Sequence, residues 1–313
     1  MAPARFAVVD VGTNTILLLI AELKGGGGFE VLEDRAEITR LGAGVGHSRR
    51  IRPDALERSL KVLHRYLDRC RELSVHEIAV VGTSALRDAL NAGDFQSRLK
   101  RELGLDLRVL SGGEEASYSY LAVQRGSGVR EGEVLVVDVG GGSTEFIWGK
   151  DGRLHRSVSL DLGSVRLTER FLLSDPAREE ECSRLTADID EKLRSRLAAW
   201  STERGFHKMV GIAGTFTTLA AVARGLTRYS HSDVHGSRLG RVEVQRQVRL
   251  FESKTVAERK AIPGLEPQRA DVILAGALLI DRIMAFFRLD EVMVSDQGIR
   301  YGLLFERLES DRG

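Results

Sequence analysis

Cysteine is nearly missing from these 313 residues: Cys70 and Cys182 are the whole supply, far apart and outside any CxxC or histidine-spaced pattern. That leaves no disulfide framework, argues against a zinc site and fits a reducing compartment. An excess of either charge is missing too. Lys and Arg number 46 against 45 Asp and Glu, for a net charge of +1, so the overall balance points to neither nucleic acid nor an anionic membrane surface. No stretch reaches the roughly 18 consecutive apolar residues of a membrane-spanning helix. The N-terminal MAPARFAVVD enters a strand at once, without the long apolar region of a signal peptide. Together these absences predict a cytoplasmic protein with neither a nucleic-acid nor a membrane partner. Covalent catalysis is also not suggested, because no Ser–His or Cys–His arrangement is visible.

What the sequence does have is glycine at the ends of apolar runs. Residues 134–148, VLVVDVGGGSTEFIW, read as a buried strand up to Asp138 and a turn through Gly140, Gly141 and Gly142. Ser143, Thr144 and Glu145 then lead into a second strand. Amides freed by glycine can wrap a phosphate, since no Cβ blocks close approach. Asp138 stands at the strand's carboxyl end, where a carboxylate can hold the magnesium ion that accompanies phosphates. A shorter relative, AVVDVGTNT at 7–15, sets Asp10 before Gly12, Thr13, Asn14 and Thr15. The echo continues downstream, where RAEITRLG at 35–42 aligns without a gap to RSVSLDLG at 156–163. The chain is also too long for one ordinary core. These features predict a duplicated α/β architecture: one domain over about 1–124 plus a closing helix near 299–313, a second over 125–298, and a cleft between them.

Other segments add candidates. Proline 53 starts a helix whose Leu56, Leu60, Leu63, Leu67 and Cys70 form one apolar stripe, read as core. The strand Glu77–Val81 leads into TSALRD, where a helix from about Ser84 presents Arg87. A guanidinium there can clamp an oxyanion or pair with Asp88. After a short strand at Leu107–Leu110, Ser111-x-x-Glu114 is a capping box. It occupies Glu114 and leaves Glu115 as the better candidate for a general base. Gly214 and Thr215, at a strand-to-helix junction, are a third candidate anion contact, and Arg300, beyond the final strand, is a second candidate clamp. The segment 227–240 carries His231 and His235 but reads as an irregular loop without a metal role. Asp175-Pro176 reads as the start of a long polar helix reaching about Ser201.

Taken in order, these motifs resemble the exopolyphosphatase/guanosine pentaphosphate phosphatase (Ppx/GppA) family. The likeness spans nearly the whole chain: DVGTNT at 10–15, TSALRDA at 83–89, SGGEEA at 111–116, DVGGGSTE at 138–145, GIAGT at 211–215, HG at 235–236 and SDQGIRYG at 295–302. It implies two ribonuclease H-like domains of the actin, Hsp70 and sugar-kinase fold around a phosphate-binding cleft. It also implies Mg²⁺-dependent hydrolysis of a phosphoanhydride in inorganic polyphosphate or guanosine pentaphosphate (pppGpp), and a homodimer by analogy. The family's catalytic glutamate falls on Glu115, and the acidic position closing its second phosphate motif falls on Glu145. On this reading Glu115 is the general base for in-line attack by water, and Glu145 helps to hold the water or the metal. Asp138 and Asp10 hold Mg²⁺. Gly12, Thr13, Asn14, Thr15, Arg87, Gly140, Gly141, Gly142, Ser143, Thr144, Gly214, Thr215 and Arg300 cradle the phosphates. The rivals are a kinase or ATPase of the same fold and a non-hydrolysing regulator that binds nucleotides or alarmones; the SG-x-EE signature favours the hydrolase. Two departures are visible: Tyr301 stands where the family carries an acidic residue, and the helical extension of larger members is missing. The second departure leans the expectation toward short polyphosphate chains.

Overall fold

The computed structural model describes residues 4–129, 131–202, 206 and 208–310. Residues 1–3 of the N-terminal stretch and 311–313 of the closing helix lie outside them. The chain divides into two compact units, Met1–Arg125 with Ile299–Gly313, and Gly126–Gly298.

The first unit is built on β1 (Arg5–Val11), whose continuous apolar run is explained by burial along nearly its whole length. β1 pairs antiparallel with β2 (Thr15–Lys24), and β2 pairs antiparallel with β3 (Gly28–Ile38). β4 (Glu77–Gly82) joins β1 in parallel, and β5 (Leu107–Val109) joins β4. The order β3-β2-β1-β4-β5 is that of a ribonuclease H sheet. α1 (Val45–Ser48) and α2 (Pro53–Glu72) follow β3, and α2 buries the stripe read from its spacing. α3 (Ser84–Asp88) and α4 (Ala92–Leu103) link β4 to β5, after which α5 (Gly112–Gly126) begins. The parallel register sets Asp10 beside Val81 and Gly82 beside Val109. The turn at Gly12 and the starts of α3 and α5 therefore leave one edge of the sheet.

The second unit repeats the plan. β6 (Glu133–Val139), β7 (Thr144–Lys150) and β8 (Arg153–Leu160) form the antiparallel part, and α6 (Ser164–Phe171) and α7 (Glu179–Thr202) follow. β9 (Met209–Ile212) lies parallel to β6 and runs into α8 (Ala213–Ala223). α9 (His231–Val234), β10 (Arg238–Gly240), α10 (Arg241–Glu252) and α11 (Val256–Arg259) come next. The buried helix α12 (Ile273–Phe287) precedes β11 (Glu291–Val294), which pairs with β9 in parallel and with β10 at the sheet edge. The order β8-β7-β6-β9-β11 matches the first unit, with β10 added. α13 (Ile299–Ser310) returns to the first unit, where Leu304 and Leu308 join Phe6, Val8 and Leu19 in a core. The result is an α/β protein of two ribonuclease H-like units, the fold class of actin, Hsp70 and sugar kinases. Among the described residues no helix is long and apolar enough to cross a membrane.

Three details differ from the sequence reading. The ladders place Ile16 beside Glu37 but Thr144 beside Leu160. Gly42 therefore follows its strand pair by 42 − 37 = 5 residues and Gly163 by 163 − 160 = 3. The gapless alignment holds at the closing glycines and slips by two residues within the strands. The segment 227–240 is not irregular throughout, since it holds α9 and β10. The long polar helix begins at Glu179 rather than at Asp175-Pro176. The Glu181 carboxylate accepts from the Arg178 amide at 3.0 Å, while Asp175 accepts from the Val256 amide at 2.8 Å.

Candidate functional site

In the first unit the chain leaves β1 after Asp10 and reverses through Gly12, Thr13 and Asn14. The Gly12 amide donates to the Thr15 carbonyl at 3.0 Å, and a Cβ on Gly12 would stand 2.8 Å from that same oxygen. Glycine closes the turn, and its own amide is occupied in doing so. Gly12 thus shapes the loop, with its amide already bonded. The Thr13 carbonyl accepts from Gly42 at 2.8 Å, and the Asn14 carbonyl accepts from Thr39 and Arg40, both at 3.0 Å. The amides of Thr13 and Asn14 make no backbone bond among the described residues. Asn14 is only 6% exposed, and its Nδ2 has no hydrogen-bond partner among the described residues. A buried donor left unsatisfied costs about 1–3 kcal/mol, so it marks where a ligand acceptor belongs. Asp10, Thr13 and Thr15 are buried beside it.

The second unit solves the same problem with more glycine. The Gly140 amide donates to the Ser143 carbonyl at 3.0 Å, so it too is occupied. The Gly140 carbonyl accepts from Ser164 at 3.0 Å, and the Gly141 carbonyl from Val165 at 2.9 Å and Arg166 at 3.1 Å. Arg166 Nε donates to the Gly142 carbonyl at 2.7 Å. These bonds satisfy amides at the start of α6 that have no partner within the helix. They turn the loop's carbonyls toward α6 and leave the Gly141 and Gly142 amides without a backbone partner among the described residues. A Cβ on Gly163 would lie 2.3 Å from the Gly141 oxygen, and one on Gly42 would lie 2.4 Å from Thr13 Cγ2. The repeated Leu-Gly has a physical reason. In each copy the chain after the third strand must touch the phosphate turn.

Ser143 and Thr144 have other partners than phosphate. Ser143 Oγ donates to Glu145 Oε1 at 2.9 Å, and Ser159 Oγ donates to the same oxygen at 2.8 Å. Thr144 Oγ1 donates to the Leu162 carbonyl at 2.5 Å. Ser143 thus orients Glu145, while Thr144 fastens β7 to the segment after β8. Ser159 escaped the sequence reading, although it sits directly opposite Glu145 in the ladder. Asp138 is the cross-strand neighbour of Glu145 on the other side. Directly paired residues on one face have Cβ atoms about 4.5–5.5 Å apart, so Asp138 and Glu145 present two carboxylates side by side.

At the start of α5 the capping box forms as the spacing predicts. The Ser111 amide and hydroxyl each donate to Glu114 Oε2 at 2.8 Å, and the Glu114 amide donates back to Ser111 Oγ at 3.2 Å. Glu115 is left only 4% exposed. Its partner is Arg87, which pairs with Glu115 Oε1 and donates to the Leu110 carbonyl at 2.8 Å. Arg87 is therefore paired with the candidate base rather than with Asp88. Arg300 is buried and paired with Asp34, and it also donates to the Leu18 carbonyl at 3.3 Å. The Tyr301 hydroxyl donates to the other Asp34 oxygen at 3.0 Å. The clamp reading of Arg300 gives way to a structural one, and the departure at Tyr301 receives a role beside it.

Thr215 Oγ1 donates to the Val139 carbonyl at 3.3 Å, so it ties α8 to the end of β6. Gly214 makes room for a cation: a Cβ there would lie 2.4 Å from both Nη atoms of Arg269. Arg269, 55 residues further on (269 − 214), was invisible to spacing. Burial opposes its charge and lowers its pKa below the ordinary arginine value. His231 and His235 both face Asp296, which accepts from His235 Nδ1 at 3.0 Å. Burial works to raise the Asp296 carboxyl, but the two histidines outweigh it and bring the pKa down to about 2. They form a clasp at the carboxyl edge of β11.

Among the described residues no group of three or more His, Cys, Asp or Glu side chains could hold a metal by itself. Magnesium does not need one, because it commonly keeps one or two protein carboxylates and takes its other ligands from water and substrate phosphates. Each unit has hard oxygen donors of the kind such an ion takes at a strand end: Asp138 with Glu145 beside it in the second, and, separately, buried Asp10 in the first.

Comparison with known proteins identifies the family. The family model described as the Ppx/GppA phosphatase family matches residues 19–311. Exopolyphosphatase 2 of Mycobacterium tuberculosis is 34% identical over 97% of this chain and 98% of its own. The crystal structure of the Ppx/GppA family member from Aquifex aeolicus shares 35% identity, with a TM-score of 0.82 over 99% of each chain. That of an exopolyphosphatase from Cytophaga hutchinsonii superposes with a TM-score of 0.90 at 28% identity over 98% of each. A family match over most of the sequence, a curated relative above 30% identity and the same fold end to end place the chain in the Ppx/GppA phosphatase family.

Proposed function

We propose that this chain is a phosphoanhydride hydrolase that releases terminal phosphate from inorganic polyphosphate, with pppGpp as a further substrate. The observation that carries the reading is Glu115: buried, left available by the capping box around Glu114, and paired with Arg87. The relative from Mycobacterium tuberculosis, named an exopolyphosphatase, supports the choice of polyphosphate.

A terminal phosphate entering the site competes for the Arg87 guanidinium and so releases a Glu115 oxygen. Water then attacks the terminal phosphorus in line, and its proton passes to Glu115. The bond from that phosphorus to the bridging oxygen breaks. Orthophosphate leaves, and the electron pair stays on the new end of a chain shorter by one phosphate. In the first unit the Thr13 and Asn14 amides with Asn14 Nδ2, and in the second the Gly141 and Gly142 amides, would each supply fixed donors to phosphate oxygens. Ser143 and Ser159 keep Glu145 in one orientation. Asp138 with Glu145 in the second unit, and Asp10 in the first, would each offer carboxylate oxygens to a magnesium ion, which would supply positive charge against the phosphates.

The test is phosphate release from short polyphosphate, long polyphosphate, pppGpp and ATP, each with Mg²⁺ and with chelator. The expected result is release from polyphosphate that chelator abolishes and added Mg²⁺ restores. Release from none of the four, or phosphate transfer to an acceptor in place of water, would sink the proposal.

A further inference from the structure

Between β3 and α2 runs a loop that the chemistry above does not use. It is fastened at both ends. Its start is docked on the phosphate turn by the bonds from Arg40 and Gly42 to the Asn14 and Thr13 carbonyls, at 3.0 and 2.8 Å. Its end is held by Asn91, which accepts from the Ile51 amide at 2.8 Å and donates to the Ile51 carbonyl at 3.1 Å. The Leu90 amide donates to the Arg49 carbonyl at 2.8 Å. Between these anchors His47, Arg49 and Arg50 are exposed.

Three observations make this more than a polar loop. Arg40 and Arg49 have φ of 54° and 52°, the left-handed region that glycine enters freely and side chains with a Cβ avoid. Arg49 closes α1 in that conformation, with its amide bonded to the Val45 carbonyl at 2.9 Å and the residue exposed. The Arg49 and Arg50 guanidiniums meet no carboxylate among the described residues, whereas Arg52 and Arg58 next along share Asp54 at 3.0 and 2.7 Å. The turn on which the loop is docked carries Asn14, nine-tenths buried, with Nδ2 lacking an acceptor among the described residues.

We propose that residues 40–50 extend the phosphate turn of the first unit, with Arg49 and Arg50 holding phosphates that follow the terminal one in a linear polyphosphate chain. The inference rests on the polyphosphate reading above and adds a determinant of chain-length preference. A polyphosphate chain carries charge at every repeat, and exposed guanidiniums take such a polyanion by releasing its counter-ions. A substrate with only two or three phosphates ends before it can reach both arginines.

The test measures binding of long-chain polyphosphate and of tripolyphosphate to wild type and to the double variant Arg49→Gly, Arg50→Gln. Long-chain affinity should fall roughly tenfold, and the slope of log Kd against log salt should drop by about two, one for each lost phosphate contact. Tripolyphosphate binding should change much less. The Tm should stay level or rise, because glycine fits the left-handed φ at 49. Lys61→Gln removes an exposed cation from α2 and should change neither ligand's affinity. Unchanged long-chain affinity and salt slope, or an equal loss for both ligands, overturns the proposal. Long chains that bind wild type through these arginines yet are never hydrolysed would sink the hydrolase reading and leave this one standing.

Discussion

Glu115→Gln should lower phosphate release from polyphosphate by about 10²–10⁴-fold, the usual contribution of a positioned general base. The substitution keeps the shape of the side chain and still offers Arg87 a carbonyl oxygen to donate to. What it removes is the ability to take a proton from water. The fold should persist with a modest fall in Tm, since the Arg87–Glu115 pair loses its charge component. Glu114→Gln, one residue away, provides the contrast. Its carboxylate closes the capping box and faces solvent, so that variant should lose at most about 1 kcal/mol of stability and keep nearly all its activity. The measurement is steady-state phosphate release beside thermal unfolding for both. Equal activity losses in the two variants would mean that the capping box does not separate their roles.

Gly163→Ala should cost about 2–4 kcal/mol of stability and most of the activity. The added methyl would lie 2.3 Å from the Gly141 oxygen and 2.4 Å from its carbonyl carbon, closer than any real contact. Both obstacles are backbone, so no side chain can swing aside. The φ of Gly163 is −144°, which any residue adopts, so the effect is one of contact alone. The alanine must push the Gly140–Gly142 turn away from α6, misplacing the amides that face phosphate. Gly93→Ala tests the same change where nothing lies within 4 Å, near the start of α4. There it should stabilise by about 0.5–1 kcal/mol, as alanine does in helices. Thermal unfolding and phosphate release for the two variants check both halves. A Gly163→Ala protein as stable and active as wild type would refute the docking argument.

The sequence showed most where local chemistry alone decides the structure. The two strand-end turns, the Ser111–Glu114 box and the stripe of α2 each depend on residues within one or two turns of chain, and each forms as its spacing implies. The repeated Leu-Gly was legible as a pattern, but its reason, contact with the phosphate turn, appears only in three dimensions. Side-chain partners were the least legible. Arg300 reaches back 266 residues to Asp34, and Arg87 crosses 28 to Glu115. A cation's choice among many carboxylates depends on which the fold brings near, and sequence spacing carries no record of that. Arg269 over Gly214 was hidden for the same reason. The short helix α9 was missed because it is too short to show periodicity. It forms where Ser230 Oγ accepts from the Asp233 amide at 3.3 Å and where His231 meets Asp296 from beyond β11.

Water activated by Glu115 should attack the terminal phosphorus directly. The measurement that tests it is a single turnover of polyphosphate in ¹⁸O-labelled water with Mg²⁺, followed by mass analysis of the orthophosphate, the shortened chain and the protein. Direct attack predicts one labelled oxygen in the released orthophosphate and none in the chain or in the protein. Label on the new chain end, or in a carboxylate of the protein, would contradict it.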